Sequence, residues 1–369
     1  MEKEMLKPAD HFHGSDLEKI EQFYGISKKD IVSFGANVNP LGISGLLKEK
    51  LSDRLDAIST YPDREYKKLR QSIGNYCHTD SRNIIPGNGS TELISLIIRL
   101  RRPRKALILG PTYSEYEREI RMAGGTCQYF PLKESDNFIL NEEALIDRLG
   151  EDIDMLVLCN PNNPTSSAVT ALQMEAIVKV CLKFNIFVMI DETYAEFAQD
   201  CEKITAIPLT RQYQNIVVLR GVSKFFASPG LRLGYGVTGN AALLEELAGK
   251  QNPWTVSSLA DEAGQLLFSD VNYIRQTKEL IDSQRTYIVE SLTSMDGIKV
   301  YPPHANFILV RLTNGLTAHQ LFETAIRQGL MIRDCSDFPF LDDTYFRFCF
   351  MMPSDNDRLL ACIRKFLHL

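Results

Sequence analysis

The sequence predicts an α/β fold with a mostly parallel sheet and a second, smaller α/β domain. Between about residues 87 and 238, short apolar runs alternate with segments of helical periodicity, which is typical of strands joined by helices. Polar residues follow three of these runs, at Asn163, Asp191 and Lys224, where an open α/β sheet places its ligands. From about residue 270 the pattern changes to a long polar helix followed by strand, helix and strand.

We expect two domains, because 369 residues exceed what one hydrophobic core usually serves. We place a large domain at residues 46–265 and a small domain at residues 1–45 and 266–369. The strands expected in the large domain are 106–109, 126–131, 155–159, 186–190, 215–219 and 234–238. Helices are expected near 16–24, 46–56, 66–77, 93–100 and 172–184, and between Tyr113 and Ala123.

The composition argues against several classes of protein. A hydrophobic content of 44% and a charged content of 24% are ordinary for a globular chain, and a net charge of -6 disfavours a nucleic-acid surface. No apolar run approaches the roughly 18 residues of a membrane span, and the charged N-terminus lacks the apolar core of a signal peptide. The eight cysteines form no CxxC pair, so we expect reduced thiols and a cytoplasmic protein. His11 and His13 have no partner at ligand spacing, so we expect no metal.

The segment from Val222 to Gly234 is the centre of the expected site. Lys224 lies just past a buried β-branched run, and a partly desolvated lysine loses its proton readily and can attack an aldehyde. Ser223 and Arg232 would hold a phosphate of the same cofactor. Lysines and arginines of this kind also occur in solvated loops, so the prediction depends on the other parts of such a site.

Each of the other candidate positions has a functional and a structural interpretation. Gly89-Ser90-Thr91 opens an apolar helix and offers free backbone N–H groups to a phosphate, although Ser and Thr also cap helices. Asp191 ends an apolar strand, where a protonated pyridine nitrogen, a helix cap or a salt bridge would each offset the cost of burial. Asn163 could form a turn or bind a ring hydroxyl and a substrate carboxylate. Tyr113 and Tyr194 could contact an aromatic cofactor or belong to the core.

Taken in order, these motifs resemble the class I/II aminotransferases, which are fold type I enzymes dependent on pyridoxal 5′-phosphate (PLP). The motifs that carry the resemblance are Gly87-Asn88-Gly89-Ser90-Thr91-Glu92, Pro111-Thr112-Tyr113, Asn160-Pro161-Asn162-Asn163-Pro164-Thr165, Asp191-Glu192-Thr193-Tyr194, Ser223-Lys224 and Pro229-Gly230-Leu231-Arg232-Leu233-Gly234-Tyr235. They are distributed over nearly the whole chain. The resemblance implies PLP as the cofactor, a seven-stranded sheet in the large domain and a homodimer.

The resemblance also implies roles for individual residues. Lys224 would form the Schiff base with the cofactor and later transfer protons, and Asp191 would pair with the pyridine nitrogen. Asn163 and Tyr194 would contact the ring oxygen, and Tyr113 would stack on the ring. The residues expected to act in catalysis are Lys224, Asp191 and Tyr194. The residues expected around the phosphate are Gly89, Ser90, Thr91, Ser223, Arg232 and the neighbouring subunit's Tyr61.

Two positions depart from the family pattern. Ser166 stands where the family usually has a glycine after Asn-Pro-Thr, and we expect an altered turn. Gly221 stands three residues before the lysine, where a hydroxyl is common. We therefore expect the phosphate to lose one donor and to be bound more weakly.

Two arginines near the C-terminus are candidates for substrate binding. Arg347 resembles the family's arginine that binds the substrate α-carboxylate through two parallel hydrogen bonds. Arg333 resembles the arginine that receives a substrate phosphate in histidinol-phosphate aminotransferases and threonine-phosphate decarboxylases. Each could instead form a surface salt bridge. The other residues expected to contact substrate are Asn163, His13 and Asn39.

The expected substrate is a phosphorylated amino acid or amino alcohol. Four segments resemble the decarboxylase branch, which serves cobalamin side-chain synthesis: 13–16, 34–42, 253–256 and 332–339. Met351 departs from that branch, whose pattern has a second arginine four residues after the carboxylate arginine. The alternative is a histidinol-phosphate aminotransferase, or another class I/II aminotransferase that uses 2-oxoglutarate and glutamate. The two reactions share their early steps, so both stay open here.

Functions of two other classes are disfavoured. A PLP-binding regulator would carry a helix-turn-helix domain before the fold, and only roughly forty residues precede it. A nucleotide-binding α/β protein would contain GxxxxGK[ST] or GxGxxG, and neither pattern occurs.

Overall fold

The fold contains a large, mostly parallel sheet and a smaller antiparallel sheet. The computed structural model describes residues 12, 14 and 16–368. The strands are β1 (Val32–Ser33), β2 (Ile84–Gly87), β3 (Lys105–Gly110), β4 (Thr126–Pro131), β5 (Met155–Cys159), β6 (Phe187–Asp191), β7 (Ile216–Gly221), β8 (Gly234–Val237), β9 (Ile298–Val300), β10 (Phe307–Leu312), β11 (Leu330–Met331), β12 (Arg333–Asp334) and β13 (Tyr345–Cys349). The helices are α1 (Leu17–Tyr24), α2 (Gly45–Ser52), α3 (Lys67–Tyr76), α4 (Gly89–Arg101), α5 (Glu115–Met122), α6 (Glu142–Ile146), α7 (Ala171–Lys183), α8 (Ala241–Lys250), α9 (Ser258–Leu267), α10 (Val271–Thr293), α11 (Ala318–Ile326) and α12 (Pro353–Phe366).

The large sheet has seven strands in the order β2-β8-β7-β6-β5-β3-β4. The five strands from β7 to β4 run parallel, and β8 is antiparallel to both of its neighbours. Strands β5, β6 and β7 are buried along their whole length, as expected for parallel strands covered on both faces. The predicted seven-stranded, mostly parallel sheet is therefore confirmed.

Strand β2 is the one member of this sheet that the apolar pattern did not indicate. It is four residues long and contains Pro86, a residue that argues against a central strand. In the structure β2 is an edge strand that pairs only with β8, and an edge position tolerates a proline. The other predicted strands occur within about two residues of their expected bounds.

The small sheet lies in the C-terminal part of the chain and has the order β12-β13-β10-β9, with antiparallel pairing throughout. A separate parallel pair, β1 with β11, joins the N-terminal segment to it. Backbone hydrogen bonds extend this connection from Gly35 to Met331 and from Cys349 to Phe34. These contacts suit the predicted grouping of residues 1–45 with 266–369, while the exact boundaries stay a prediction. No helix among the described residues is long and apolar enough to cross a membrane.

Ser166 connects the loop after β5 to the segment before β10. Its backbone has a φ of 60°, a left-handed conformation that glycine adopts more readily. The buried Oγ accepts hydrogen bonds from His304 N at 3.1 Å and from Ala305 N at 2.9 Å. The serine therefore keeps the left-handed turn and adds a bond between the two parts of the chain, which a glycine there would lack.

We predict that Ser166→Ala lowers the stability of the fold. The Ala305 N–H would lose its hydrogen-bond acceptor while it stays buried, which costs about 1–3 kcal/mol. Thermal and urea unfolding midpoints would measure the change. Ser52→Ala is the control, since this exposed serine bonds only the Glu49 carbonyl of its own helix and its loss should cost less than about 0.5 kcal/mol. Equal midpoints for the two variants would contradict the role assigned to Ser166.

Candidate active site

A cavity of about 270 Å³ lies beyond the carboxyl ends of β5, β6 and β7 and beside β12 and β13. The polar ends of neighbouring parallel strands meet at this edge of the sheet, which is where open α/β sheets bind ligands. The predicted site residues that line the cavity are Ser90, Thr91, Tyr113, Asn163, Asp191, Tyr194, Ser223, Lys224, Arg232, Arg333 and Arg347. The fold thus brings together positions that are as much as 257 residues apart in sequence, from Ser90 to Arg347.

Lys224 follows β7, and its side chain is half-buried. Its Nζ donates a hydrogen bond to the Ala36 carbonyl oxygen at 2.7 Å. Burial, and then the nearby positive charges of Arg347 and Arg232, lower the pKa of Lys224 to about 8. A substantial fraction of the amine is therefore neutral near pH 8 and able to attack a carbonyl group.

Asp191 is the last residue of β6, and three donors hold its carboxylate. The Tyr116 hydroxyl donates to Oδ2 at 2.6 Å, and Thr193 donates to Oδ1 from its backbone N at 3.0 Å and its hydroxyl at 2.6 Å. Burial raises the pKa of Asp191 above its usual range, and these hydrogen bonds oppose that rise. No salt bridge to Asp191 occurs among the described residues. The burial of this carboxylate is therefore not offset by an ion pair with any of them.

Tyr116 and Thr193 line the cavity and were not predicted as site residues. Thr193 lies two residues after Asp191, a spacing at which an aspartate commonly accepts bonds from the following backbone and hydroxyl. Tyr116 lies three residues after Tyr113, and the two rings meet edge to face at 5.5 Å. That spacing is the only signal in the sequence that would have placed Tyr116 beside the cavity.

The start of α4 forms a close-packed cradle with Arg232. Gly89 has a φ of 78°, and a Cβ there would lie 2.5 Å from Arg232 Nη2. A Cβ at Gly234 would lie 2.3 Å from the Ser90 backbone N. Gly89 itself does not line the cavity, but its missing side chain lets the guanidinium sit beside the free N–H groups of a helix N-terminus. This combination of backbone amides, hydroxyls and a cation suits a phosphate group.

Gly221 also lines the cavity, at the position where a hydroxyl side chain is common in the family. A Cβ at this position would lie 3.3 Å from the Leu233 carbonyl oxygen and 3.8 Å from Ser90 Oγ. A side chain would therefore fit only if the backbone gave way by a few tenths of an ångström. The weaker phosphate binding expected from the missing donor stays a prediction.

Arg347 and Arg333 lie directly opposite each other on the antiparallel strands β13 and β12, and both are buried. Arg347 donates to the Asn163 side-chain oxygen and, at 2.9 Å, to the Gly35 carbonyl, while its buried Nε has no partner. Arg333 donates to the Phe12 carbonyl at 2.9 Å and to both carboxylate oxygens of Asp337 at 2.7 and 2.5 Å. Both cations face the cavity rather than the protein surface.

The two predicted tyrosines, Tyr113 and Tyr194, both line the cavity but differ in burial and in their contacts. Tyr113 is partly buried, and burial raises its pKa to about 12, so the hydroxyl stays protonated. Tyr194 is buried, packs edge to face on Phe307 at 4.9 Å, and has a pKa raised by burial. The nearby Asn37 amide reaches the Tyr194 hydroxyl only at 3.5 Å, and Asn37 Oδ1 is buried without a partner. The site therefore keeps unused polar atoms next to Tyr194.

Asn39 does not reach the cavity, contrary to the prediction that it contacts substrate. Its side-chain nitrogen, which carries two hydrogens, lies 2.7–2.9 Å from three acceptors: the Phe225 carbonyl, the Tyr273 hydroxyl and the Thr277 hydroxyl. Its backbone N donates to the Lys224 carbonyl at 3.0 Å. The amide is fully used in holding α10 and the backbone around Lys224 together, so Asn39 supports the position of the lysine.

The remaining predicted residues lie elsewhere. Tyr61 is 77% exposed and packs against Trp254 in a tilted arrangement, with ring centres 4.5 Å apart, outside the cavity of its own chain. His13 falls outside the described residues, as does His11. Met351 is half-buried beside Cys349 and does not line the cavity. No group of three metal-ligating side chains occurs among the described residues.

The cavity contains the donor set that a phosphorylated pyridine aldehyde requires. The α4 cradle matches the phosphate, the neutral amine of Lys224 matches the aldehyde, and the buried Asp191 carboxylate matches a protonated ring nitrogen. The residues present therefore fit PLP, because each polar group of that cofactor has a chemically suitable partner in the cavity.

Comparison with known proteins agrees with this fit. Residues 29–363 match the family model described as aminotransferase class I and II. Threonine-phosphate decarboxylase of Salmonella typhimurium (strain LT2) is 33% identical over 355 residues, which cover 96% of each chain. A protein of Caldanaerobacter subterraneus subsp. tengcongensis, provisionally named as the same enzyme, is 37% identical over 329 residues, covering 89% of this chain and 88% of its own.

Among solved structures, the histidinol-phosphate aminotransferase from Clostridium acetobutylicum superposes with a TM-score of 0.86 and 31% identity. The match covers 91% of this chain and 98% of that one. Sequence match, fold and donor set agree. The chain belongs to the class I and II aminotransferase family and is a PLP-dependent enzyme.

Proposed function

We propose that this enzyme decarboxylates threonine phosphate to aminopropanol phosphate and carbon dioxide. The observation that carries the proposal is the pair of buried cations, Arg333 and Arg347, in the same cavity as Lys224. A substrate with a carboxylate at Cα and a phosphate on its side chain would supply one anion to each arginine. The similarity to the two proteins named as threonine-phosphate decarboxylases supports the same substrate. We further propose a cytoplasmic location, consistent with eight free cysteines, and a role in cobalamin side-chain synthesis.

When bound, PLP supplies an aldehyde for an amine and a ring that accepts the electron pair left at Cα after a bond there breaks. Ser90, Thr91, Ser223 and Arg232 would hold its phosphate at the N-terminus of α4. Asp191, fixed by Tyr116 and Thr193, would keep a proton on the ring nitrogen. The Lys224 amine, with its lowered pKa, can take up and return a proton near neutral pH.

Arg347 and Arg333 would decide how the substrate lies. Arg347 would bind the α-carboxylate, and the Asn163 and Gly35 oxygens hold its guanidinium for that contact. Arg333 would bind the side-chain phosphate and so fix the rotation about the bond to Cα. For decarboxylation, the contacts of Arg347 and Arg333 would orient the bond between Cα and the carboxylate as the one that breaks, and Lys224 would then supply a proton to Cα.

Histidinol-phosphate transamination is the second candidate. Two observations favour it: the TM-score of 0.86 with the Clostridium acetobutylicum enzyme, and Met351 in the place of the second arginine of the decarboxylase pattern. In a transaminase the two arginines would orient the Cα–H bond for cleavage instead, and Lys224 would accept that proton. The same residues serve either outcome, so the reaction is decided by how the two arginines orient the substrate.

The first test is the product formed from threonine phosphate by the holoenzyme. We expect carbon dioxide and aminopropanol phosphate, with Lys224→Ala inactive. Arg333→Gln should lower kcat/KM by about 100-fold, as expected when a charged hydrogen-bond donor is lost. Arg327→Gln is the control, because this exposed arginine pairs only with Glu323 on α11 and its loss should leave turnover unchanged. Absence of carbon dioxide, with keto product formed from histidinol phosphate and 2-oxoglutarate, would select the second candidate.

The second test concerns the pH dependence of cofactor capture. Because the Lys224 pKa is lowered from 10.5 to about 8, the neutral amine becomes abundant as pH rises from 7 to 9. The rate at which the apoenzyme binds PLP covalently, followed by absorbance, should therefore rise over that range and level off above it. Arg347→Gln removes a nearby cation and should shift the rise to higher pH. A rise centred near pH 10.5 in the unmodified enzyme would contradict a desolvated amine.

We also propose a homodimer in which Tyr61 binds the cofactor phosphate of the neighbouring subunit. Tyr61 is 77% exposed yet held in place by the Trp254 ring, and the Arg64 guanidinium lies 5.5 Å from the same ring centre. Leu55 and Ile58, earlier in the same segment, are also exposed apolar side chains. An aromatic side chain ordered by packing but open to solvent is suited to a contact with a second chain.

Mixed dimers would test this arrangement. Tyr61→Phe removes one hydroxyl and should weaken PLP binding by about tenfold, while Lys224→Ala removes activity. In a dimer of one subunit of each kind, one site would have both its own Lys224 and a Tyr61 from the partner. We expect that dimer, purified with two tags, to bind PLP at one site with wild-type affinity. If its affinity equals that of the Tyr61→Phe dimer, Tyr61 does not serve the neighbouring site.

A further inference from the structure

The two arginines of the cavity place like charges next to each other. Arg333 and Arg347 are direct neighbours across β12 and β13, with exposed fractions of only 7% and 5%. Opposed like charges destabilise a strand pair, and the effect grows when both are buried. Arg347 is bonded to neutral oxygens, those of Asn163 and Gly35. The chain therefore needs a negative charge elsewhere to offset this pair before substrate arrives.

Asp337 forms an ion pair with Arg333. Both of its carboxylate oxygens accept from one nitrogen, Arg333 Nη2. The Asp337 side chain is 37% exposed, whereas that of Arg333 is 8% exposed. The aspartate lies in the loop between β12 and β13, where the next residue, Phe338, lines the cavity and stacks 5.3 Å from the Arg333 guanidinium.

We propose that Asp337 is a specificity-determining residue that competes with the substrate's side-chain anion for Arg333. This inference rests on the proposed function, in which Arg333 receives the substrate phosphate. Asp337 can leave, because more than a third of its side chain is already in water and its release requires only that one side chain to turn away from Arg333. The free energy gained when the substrate binds Arg333 is therefore reduced by the free energy lost when Arg333 releases Asp337.

The competition favours a doubly charged group over a singly charged one. When a substrate carboxylate takes the place of the Asp337 carboxylate, one negative charge replaces another, so the gain in electrostatic free energy is small. A phosphate dianion replaces one negative charge with two, close to two positive guanidinium groups, and retains a net gain. In L-glutamate the side-chain carboxyl carbon is three bonds from Cα, as is the phosphorus of threonine phosphate. Asp337 would therefore admit the phosphorylated substrate and disfavour the acidic amino acid of the same length.

Phosphate binding to the holoenzyme provides the test, since the cofactor's own phosphate then occupies the α4 cradle. With inorganic phosphate as the probe in calorimetry, Asp337→Asn should lower Kd by about tenfold, equivalent to ~1.4 kcal/mol. The double variant Arg333→Gln/Asp337→Asn should lose that gain. Asp342→Asn is the matched control, because it removes the same charge from the same loop at a carboxylate 3.8 Å from Arg311, and its Kd should equal that of the wild type.

A second measurement addresses the side-chain charge directly. Absorbance titration of the wild-type holoenzyme should show L-glutamate binding no more tightly than L-glutamine, whereas Asp337→Asn should bind glutamate about tenfold more tightly than glutamine. An unchanged or weaker phosphate affinity in Asp337→Asn would mean that Asp337 merely positions Arg333, and would overturn the inference. The inference would also be overturned if the double variant kept the higher phosphate affinity, or if the wild-type enzyme bound glutamate more tightly than glutamine. None of these measurements requires turnover, so a failed decarboxylation assay does not bear on them.

Discussion

The desolvation of the Lys224 amine is the constraint on which the rest of the site depends. An ammonium group held out of water beside two arginines loses much of its preference for the proton, and that loss makes the amine reactive near neutral pH. Several structural contacts maintain this environment. The Ala36 carbonyl accepts from Nζ, and Asn39 holds the Lys224 backbone against α10. The N-terminal segment thus covers the amine even though it is remote in sequence.

Two groups of buried charges in this protein are compensated in different ways. Next to Asp191, Glu192 and Arg220 form a buried pair in which both Arg220 Nε and Nη2 donate to one carboxylate oxygen, and Thr205 and the Ala206 backbone N also donate to Glu192. This pair is satisfied within the chain and stabilises the scaffold. By contrast, the cavity arginines Arg347 and Arg333 have neutral partners or a half-exposed aspartate. An unsatisfied cation costs stability, and in an enzyme that cost is offset when an anionic substrate binds.

Contacts between the two parts of the chain decide the shape of the cavity. Ser166 joins the loop of Asn163 to the segment before β10. On another face, Glu134 accepts from Lys299, Tyr301 and Arg311 of the small sheet. These bonds explain why Asn163, from the large sheet, meets Arg347, from the small sheet, in one cavity. The geometry of substrate binding is therefore a property of how the two sheets are joined.

The sequence by itself determined six of the seven strands of the large sheet, the family and the residues that lie at the ends of those strands. Apolar periodicity locates parallel strands, and the residues just beyond their carboxyl ends must meet at one edge, so Asn163, Asp191 and Lys224 could be placed together before any coordinates. Only the tertiary structure decided which polar groups are already occupied. Asn39 is consumed by α10, Asp191 is held by Tyr116, and Arg333 is paired with Asp337. These pairings depend on side-chain directions and on segments that meet only after folding, and periodicity along the chain carries no information about either.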